Sequence, residues 1–226
     1  MKRWLIIPVL IGVILLVAAC QTVDPNDSCS SLDDTAKDQC YFDNVQCSKI
    51  DNEVLRNPCI AELAKIQEDI TVCDLIEEES AFAHCQDQVA RVLNNPEICK
   101  NIEMRYSQDN CYSHFGTSNN DVQKCLLISN EEQRHKCIET VADVTNDPNL
   151  CLNLPFAPEN KRAACLSSIA RETQDKEVCD MIDERVKQNT CKLRIAKDTN
   201  NIELCEEITI NLMKDDCIAD IQQELN

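Results

Sequence analysis

Glycine is nearly missing from this chain, with two residues in 226. Tight hairpin turns with φ > 0 depend on it, so they can hardly be frequent and a many-stranded β fold is not expected. Clustered basic residues are missing too. Against 40 Asp and Glu stand 22 Lys and Arg, a formal charge of −18. Such a surface repels phosphate backbones and anionic headgroups, so nucleic-acid binding is not expected. The charge instead keeps the chain soluble and apart from its copies.

Several chemical signatures are absent. There is no C-x-x-C, no C-x-x-C-H and no close Cys/His cluster of the zinc kind. Ligand-dense D-x-D-x-D-G loops are lacking, so the recurrent Asp and Asn read as helix caps rather than calcium ligands. G-x-S-x-G, H-E-x-x-H and a glycine-rich phosphate loop are lacking as well. The expectation is no enzyme, no cofactor and no metal. His84, His114 and His135 are scattered and read as polar surface residues.

Cysteine is what the chain has in excess: 17, evenly spread. That pattern reads as a disulfide framework in an oxidising compartment. With 43% hydrophobic and 27% charged residues, the chain is not a disordered polar tract.

Met1-Lys2-Arg3 is a short basic start, and the 16 residues Trp4 to Ala19 carry no charge. A spanning helix wants about 20 apolar residues, and the small residues before Cys20 suit a peptidase. Val17-Ala18-Ala19-Cys20 resembles the lipobox of bacterial-type lipoproteins, also used by some archaea, although Leu is commoner than Val at the position of Val17. The resemblance covers the leader and Cys20 only. It implies that residues 1–19 are a signal peptide and that the Cys20 thiol takes a diacylglyceryl group and becomes the new N-terminus. Two acyl chains give stable attachment where one is marginal. The implied place is extracytoplasmic, lipid-anchored to a prokaryotic membrane. Gln21 is not the Asp that marks inner-membrane retention in enteric bacteria, which favours the outer membrane or cell surface.

The cysteine count points the same way, because setting Cys20 aside leaves an even 16, and losing Lys2 and Arg3 takes the charge to −20. Residues 20–28 read as a lipidated tether. Asn26-Asp27-Ser28 fits the N-glycosylation pattern, which arises often by chance. The rival readings of the leader are an uncleaved anchor, or a secretory signal with a chance cysteine.

From Cys47 to Cys217 the cysteine steps alternate 12 and 14, a period of 26 residues. One step, Cys151 to Cys165, is two residues longer, and its insert carries Pro155 and Pro158. Periods of this size signal repeat architectures. Four residues before each first cysteine stand Asp43, Asp69, Asn95, Asp121, Asp147, Asp175 and Asn201, all good N-caps. Three residues after it sit Ile50, Ile76, Ile102, Ile128, Leu154, Ile182 and Ile208, one face of a short helix A about two turns long. Four residues past each second cysteine come Leu63, Val89, Phe115, Val141, Ile169, Ile195 and Ile221; the next position is small (Ala64, Ala90, Gly116, Ala142, Ala170, Ala196) until Gln222 ends the series. These mark the buried face of a helix B that a neighbouring helix approaches closely.

The expected fold is therefore all-α: a right-handed-type α-solenoid of about seven 26-residue disulfide-stapled hairpins over 43–226, after an atypical cap at 29–42. Its logic is similar to tetratricopeptide and Sel1 solenoids, but period and cysteine content depart from both, so no binding residue carries over.

Two regular pairings are open. Pairing across units (40–47, 59–73 and onward) strands Cys29 and Cys217. Pairing within hairpins uses every cysteine after the leader: Cys29–Cys40, Cys47–Cys59, Cys73–Cys85, Cys99–Cys111, Cys125–Cys137, Cys151–Cys165, Cys179–Cys191 and Cys205–Cys217. Two antiparallel helices bring the latter pairs to similar height, as disulfide geometry requires, so this scheme is favoured.

Stacked hairpins usually recognise proteins. The expected role is an envelope scaffold that docks a protein or peptide, with Tyr106, Tyr112, Phe115, Leu126 and Leu127 as the candidate interface. The alternatives are a passive spacer or coat lipoprotein and, more remotely, a thiol-redox or metal-binding protein.

Overall fold

Asp and Asn caps alternating with cysteine-centred apolar faces fold as long helices separated by short ones. A computed structural model describes residues 27–155 and 160–224, and among them there is no strand. The leader, Cys20, Asn26 and Pro158 lie outside these residues. The long helices are α1 (Asp34–Asp43), α2 (Glu53–Gln67), α3 (Glu79–Val92), α4 (Arg105–Ser118), α6 (Glu131–Thr145), α7 (Lys161–Thr173), α9 (Arg185–Asp198) and α11 (Asn211–Glu224). Between them lie the single α-turns α5 (Val122–Cys125), α8 (Lys176–Asp180) and α10 (Ile202–Glu206). Elsewhere the short segment is 3₁₀: Cys47–Lys49, Ile70–Leu75, Pro96–Asn101 and Pro148–Asn153.

The short segments stop where the backbone turns extended at Ile50, Ile76, Ile102 and Leu154, whose side chains are buried. Six of the seven caps expected ahead of them accept a first-turn N–H: Asp69, Asn95, Asp121, Asp147, Asp175 and Asn201. Losing such a cap costs about 1 kcal/mol. Asp43 departs from the expectation. It ends α1 and accepts from Gln39, because the first short segment begins only at Cys47.

Positive φ recurs here at helix ends rather than in hairpin turns. Val45, Glu68, Asn94, Asn120, Asn146, Asn160, Gln174 and Asn200 all have φ between 47° and 55°. Asn tolerates this left-handed conformation better than other side chains, so glycine is not needed. Most of these residues sit directly before an Asp or Asn cap. The next N–H then reaches back to the small residue of helix B: Asp69 to Ala64, Asn95 to Ala90, Asp121 to Gly116, Asp147 to Ala142, Asp175 to Ala170, Asn201 to Ala196. One Asp or Asn thus closes a long helix through its N–H and opens the following short one through its side chain.

Seven of the eight disulfides join a short segment to the following long helix, and Cys29–Cys40 joins the turn ahead of α1 to it; Cα separations are 5.4 to 5.8 Å for Cys29–Cys40, Cys47–Cys59, Cys73–Cys85, Cys99–Cys111, Cys125–Cys137, Cys151–Cys165, Cys179–Cys191 and Cys205–Cys217. Closing loops of this size stabilises the fold by about 3 kcal/mol each in the chain-entropy model. That matters because isolated helices this short are marginal in water.

Each long helix packs on the next, α2 on α3, α3 on α4, α4 on α6, α6 on α7, α7 on α9 and α9 on α11. The core follows the same path. Cys85 and Val89 of α3 join the N-terminal cluster, and its Ala83 and Ala90 join the cluster that runs on to Ile221.

Candidate functional site

The five residues of the expected interface do not share a surface. Tyr106 is 73% exposed, and Leu126 and Leu127 are 40% and 49% exposed. Tyr112 and Phe115 are buried, at 5% and 1%. Their register explains the correction. Tyr112 follows a second cysteine directly, where Ile60, Ile138 and Leu166 are buried in other units; Phe115 holds the core position of Val89 and Val141. Burial pushes the Tyr112 phenol above its ordinary pKa.

Tyr106, Leu126 and Leu127 flank the turns from short segment to long helix. Tyr106 lies in the first turn of α4, and Leu126 and Leu127 follow α5 directly. Val54, Leu75, Leu152, Val186 and Leu212 are exposed at the corresponding ends of other units. One edge of the helical array therefore carries most of its exposed large apolar side chains. The same edge holds a cavity of about 370 Å³ where Leu75 meets Arg56, Asn57, Glu77 and Glu78. Hydrogen bonds from the Ser80 hydroxyl and the Ser80 and Ala81 N–H groups hold the Glu78 carboxyl below its ordinary range. Isolated apolar residues are normal on a surface, whereas here they recur along one edge.

Beneath this edge lies a set of residues that periodicity did not expose. Two positions before the second cysteine, a buried polar side chain reaches into the next unit. Asp38 accepts from the N–H groups of Asp51 and Asn52 at 3.2 and 3.0 Å. Asp109 accepts from Ser129 N–H at 2.7 Å, Asn130 N–H at 2.9 Å and the Ser129 hydroxyl. Asn189 accepts from Thr209 N–H at 2.6 Å and donates to its hydroxyl. Each clamp supports the turn from which the next long helix starts. The available signal was a polar residue at a position flanked by core residues, but Ala83 and Ala163 interrupt it.

The histidines also differ from expectation. His84 is exposed, but His135 is buried, with Nε2 3.7 Å from Glu131. His114 is half-buried, and desolvation, then the charge of Arg91, lowers its pKa. Among the described residues no three His, Cys, Asp or Glu side chains are placed to share a metal ion, and no helix is long and apolar enough to cross a membrane. All sixteen described cysteines are disulfide-bonded. No protein-family model, curated protein or solved structure matches the chain.

Proposed function

We propose that this chain is a lipid-anchored extracytoplasmic scaffold that docks an envelope protein or peptide along the edge carrying Tyr106, Leu126 and Leu127. The observation that carries this reading is the recurrence of exposed apolar side chains at that edge. Eight disulfides support an oxidising, extracytoplasmic setting. In this reading the units stack as a right-handed-type α-solenoid, supported by the stepwise packing of long helices and the clamps between units. With successive helices about 8–10 Å apart, seven units extend roughly 60 Å, which small-angle scattering measures.

The anchor is tested separately. Mass spectrometry of membrane-extracted protein should find a thioether lipid on Cys20, and Cys20→Ser should release the chain. For docking, photo-crosslinkers at Tyr106 and Leu127 should capture one envelope component in native membranes, while a crosslinker at exposed Glu172, on the α7 face, captures none. Capture of nothing at either edge position would leave the passive spacer as the better reading.

A further inference from the structure

Successive long helices leave a groove between them that is lined from the same register in different units. Between α2 and α3 it includes Ala61, Glu62, Lys65, Ala81, His84 and Gln88. Between α7 and α9 the corresponding residues are Ser167, Ser168, Arg171, Lys187, Thr190 and Arg194. The first groove has one cation and one anion; the second has three cations and no anion. Read at these register positions with histidine uncharged, every other pair of successive long helices is neutral or negative at pH 7 except α4–α6, where Lys136 alone gives one positive charge. The α7–α9 groove is the most positive of the series, in a chain of formal charge −18.

Its cations are only partly used inside the fold. Arg171 meets Asp198 through Nε at 2.9 Å, and Lys187 lies 3.6 Å from Glu184, whose carboxylate also accepts from Asn160. Arg194 has no ion-pair or hydrogen-bond partner among the described residues. Ser167 is half-buried in the wall, and neither it nor Ser168 has its hydroxyl in an internal hydrogen bond among the described residues. Small side chains, including Ala163 and Ala164, keep the groove open at about 500 Å³. The remote carboxylates do not cancel this local charge, since at physiological ionic strength fields fade over about 8 Å.

We propose that the groove between α7 and α9 binds a phosphate ester. A guanidinium fork and an ammonium supply charge-assisted bonds to the oxyanion, and the serine hydroxyls add neutral donors. The volume exceeds that of a bare ion and leaves room for the esterified alcohol. The ester is carried by a soluble molecule or by a lipid headgroup, and the test separates the two.

Full-length chain in non-ionic detergent is titrated by calorimetry with glycerol 3-phosphate. In parallel, it is mixed with micelles doped with phosphatidylglycerol or with neutral phosphatidylcholine. The expected result is saturable binding to glycerol 3-phosphate, to the phosphatidylglycerol micelles, or to both. Arg194→Gln should weaken it about tenfold or more, the worth of one charge-assisted bond. Lys65→Gln, in the α2–α3 groove, should leave it unchanged. Both side chains lie outside the core, so circular dichroism and thiol content should match the parent. Binding to glycerol 3-phosphate alone assigns a soluble ester, and binding to the doped micelles alone assigns a headgroup. The proposal is overturned if neither binds at millimolar concentration, if acetate binds equally, or if Arg194→Gln binds like the parent.

Discussion

Between α4 and α6 the residue two before the second cysteine is Asp109; between α7 and α9 it is Ala163. The Asp109 carboxylate is spent on the Ser129–Asn130 turn, and the joint closes around it. At the other joint no side chain crosses from that position. The link is made instead by Asn160 to Glu184 at 3.0 Å, and an open groove lies beside it. Where a unit places a carboxylate there, buried hydrogen bonds fix the next turn; where it places alanine, the joint is linked from other positions.

The largest effect should be common to both joints. Replacing Cys125 and Cys137 by alanine, or Cys151 and Cys165, should each cost about 3 kcal/mol in urea denaturation of oxidised protein. The loop longer by two residues changes this by only a few tenths of a kcal/mol. If one pair proves dispensable, the two joints do not share the same staple.

Next comes the clamp, which should matter at one joint only. Asp109→Ala strands two backbone N–H groups and a hydroxyl in a buried site, at a cost of about 2–3 kcal/mol. Asp215 holds the same register in the last described unit, and its side chain is exposed. Asp215→Ala should therefore stay within about 0.5 kcal/mol. Equal losses at the two sites would show that Asp109 acts through its own helix and not across the joint.

Gly116 sharpens the same contrast. A Cβ there would lie 2.7 Å from both Cys125 Sγ and Cys137 Sγ. Ala170 occupies the equivalent position before the open joint and is fully buried. The missing Cβ at Gly116 leaves room for the Cys125–Cys137 disulfide sulfurs. Gly116→Ala should therefore destabilise by about 1–2 kcal/mol despite alanine's better helix propensity. Ala170→Gly should cost about 1–2 kcal/mol, through helix propensity and the loss of a buried methyl. Thermal melts of the two variants compare steric overlap with these losses.

How much of this was visible in the sequence depended on whether a position keeps one residue type. Cysteines, Asp or Asn caps and the aliphatic-small pair recur unit after unit, so the all-helical class and the hairpin elements could be read from the 26-residue spacing. The clamp position runs through Asp38, Asn57, Ala83, Asp109, His135, Ala163, Asn189 and Asp215, and hides in its own variety. The left-handed residues Asn94, Asn120, Asn146 and Asn200 stand in one register, but asparagine is also common in turns and caps, so that register alone does not mark a left-handed backbone. Tyr112 and Phe115 read as an interface by their aromatic character, although their register makes them core. The cationic groove escaped for a different reason: its charges lie on two helices, and only packing α7 against α9 brings them together.

The smallest expected effect compares one register position across two grooves. Three residues past the second cysteine, α4 carries His114 and α9 carries Arg194. Arginine stays charged at every accessible pH, whereas burial, then Arg91, holds the His114 pKa down, with Asp87 opposing weakly. A base whose pKa is lower folded than unfolded binds protons more readily in the unfolded state. The stability linked to His114 is therefore fully present above its unfolded pKa of about 6.5, and it is lost as pH falls from there toward the lower folded value. Urea midpoints should decline as pH drops from 7 to 5, and His114→Asn should flatten that slope. The carboxylates held below their ordinary range, Asp27 through its bond to Lys49 and Glu78 through Ser80, weaken the fold only at lower pH. The two acid limbs are thus separable. A slope between pH 7 and 5 that survives His114→Asn would overturn the assignment to His114.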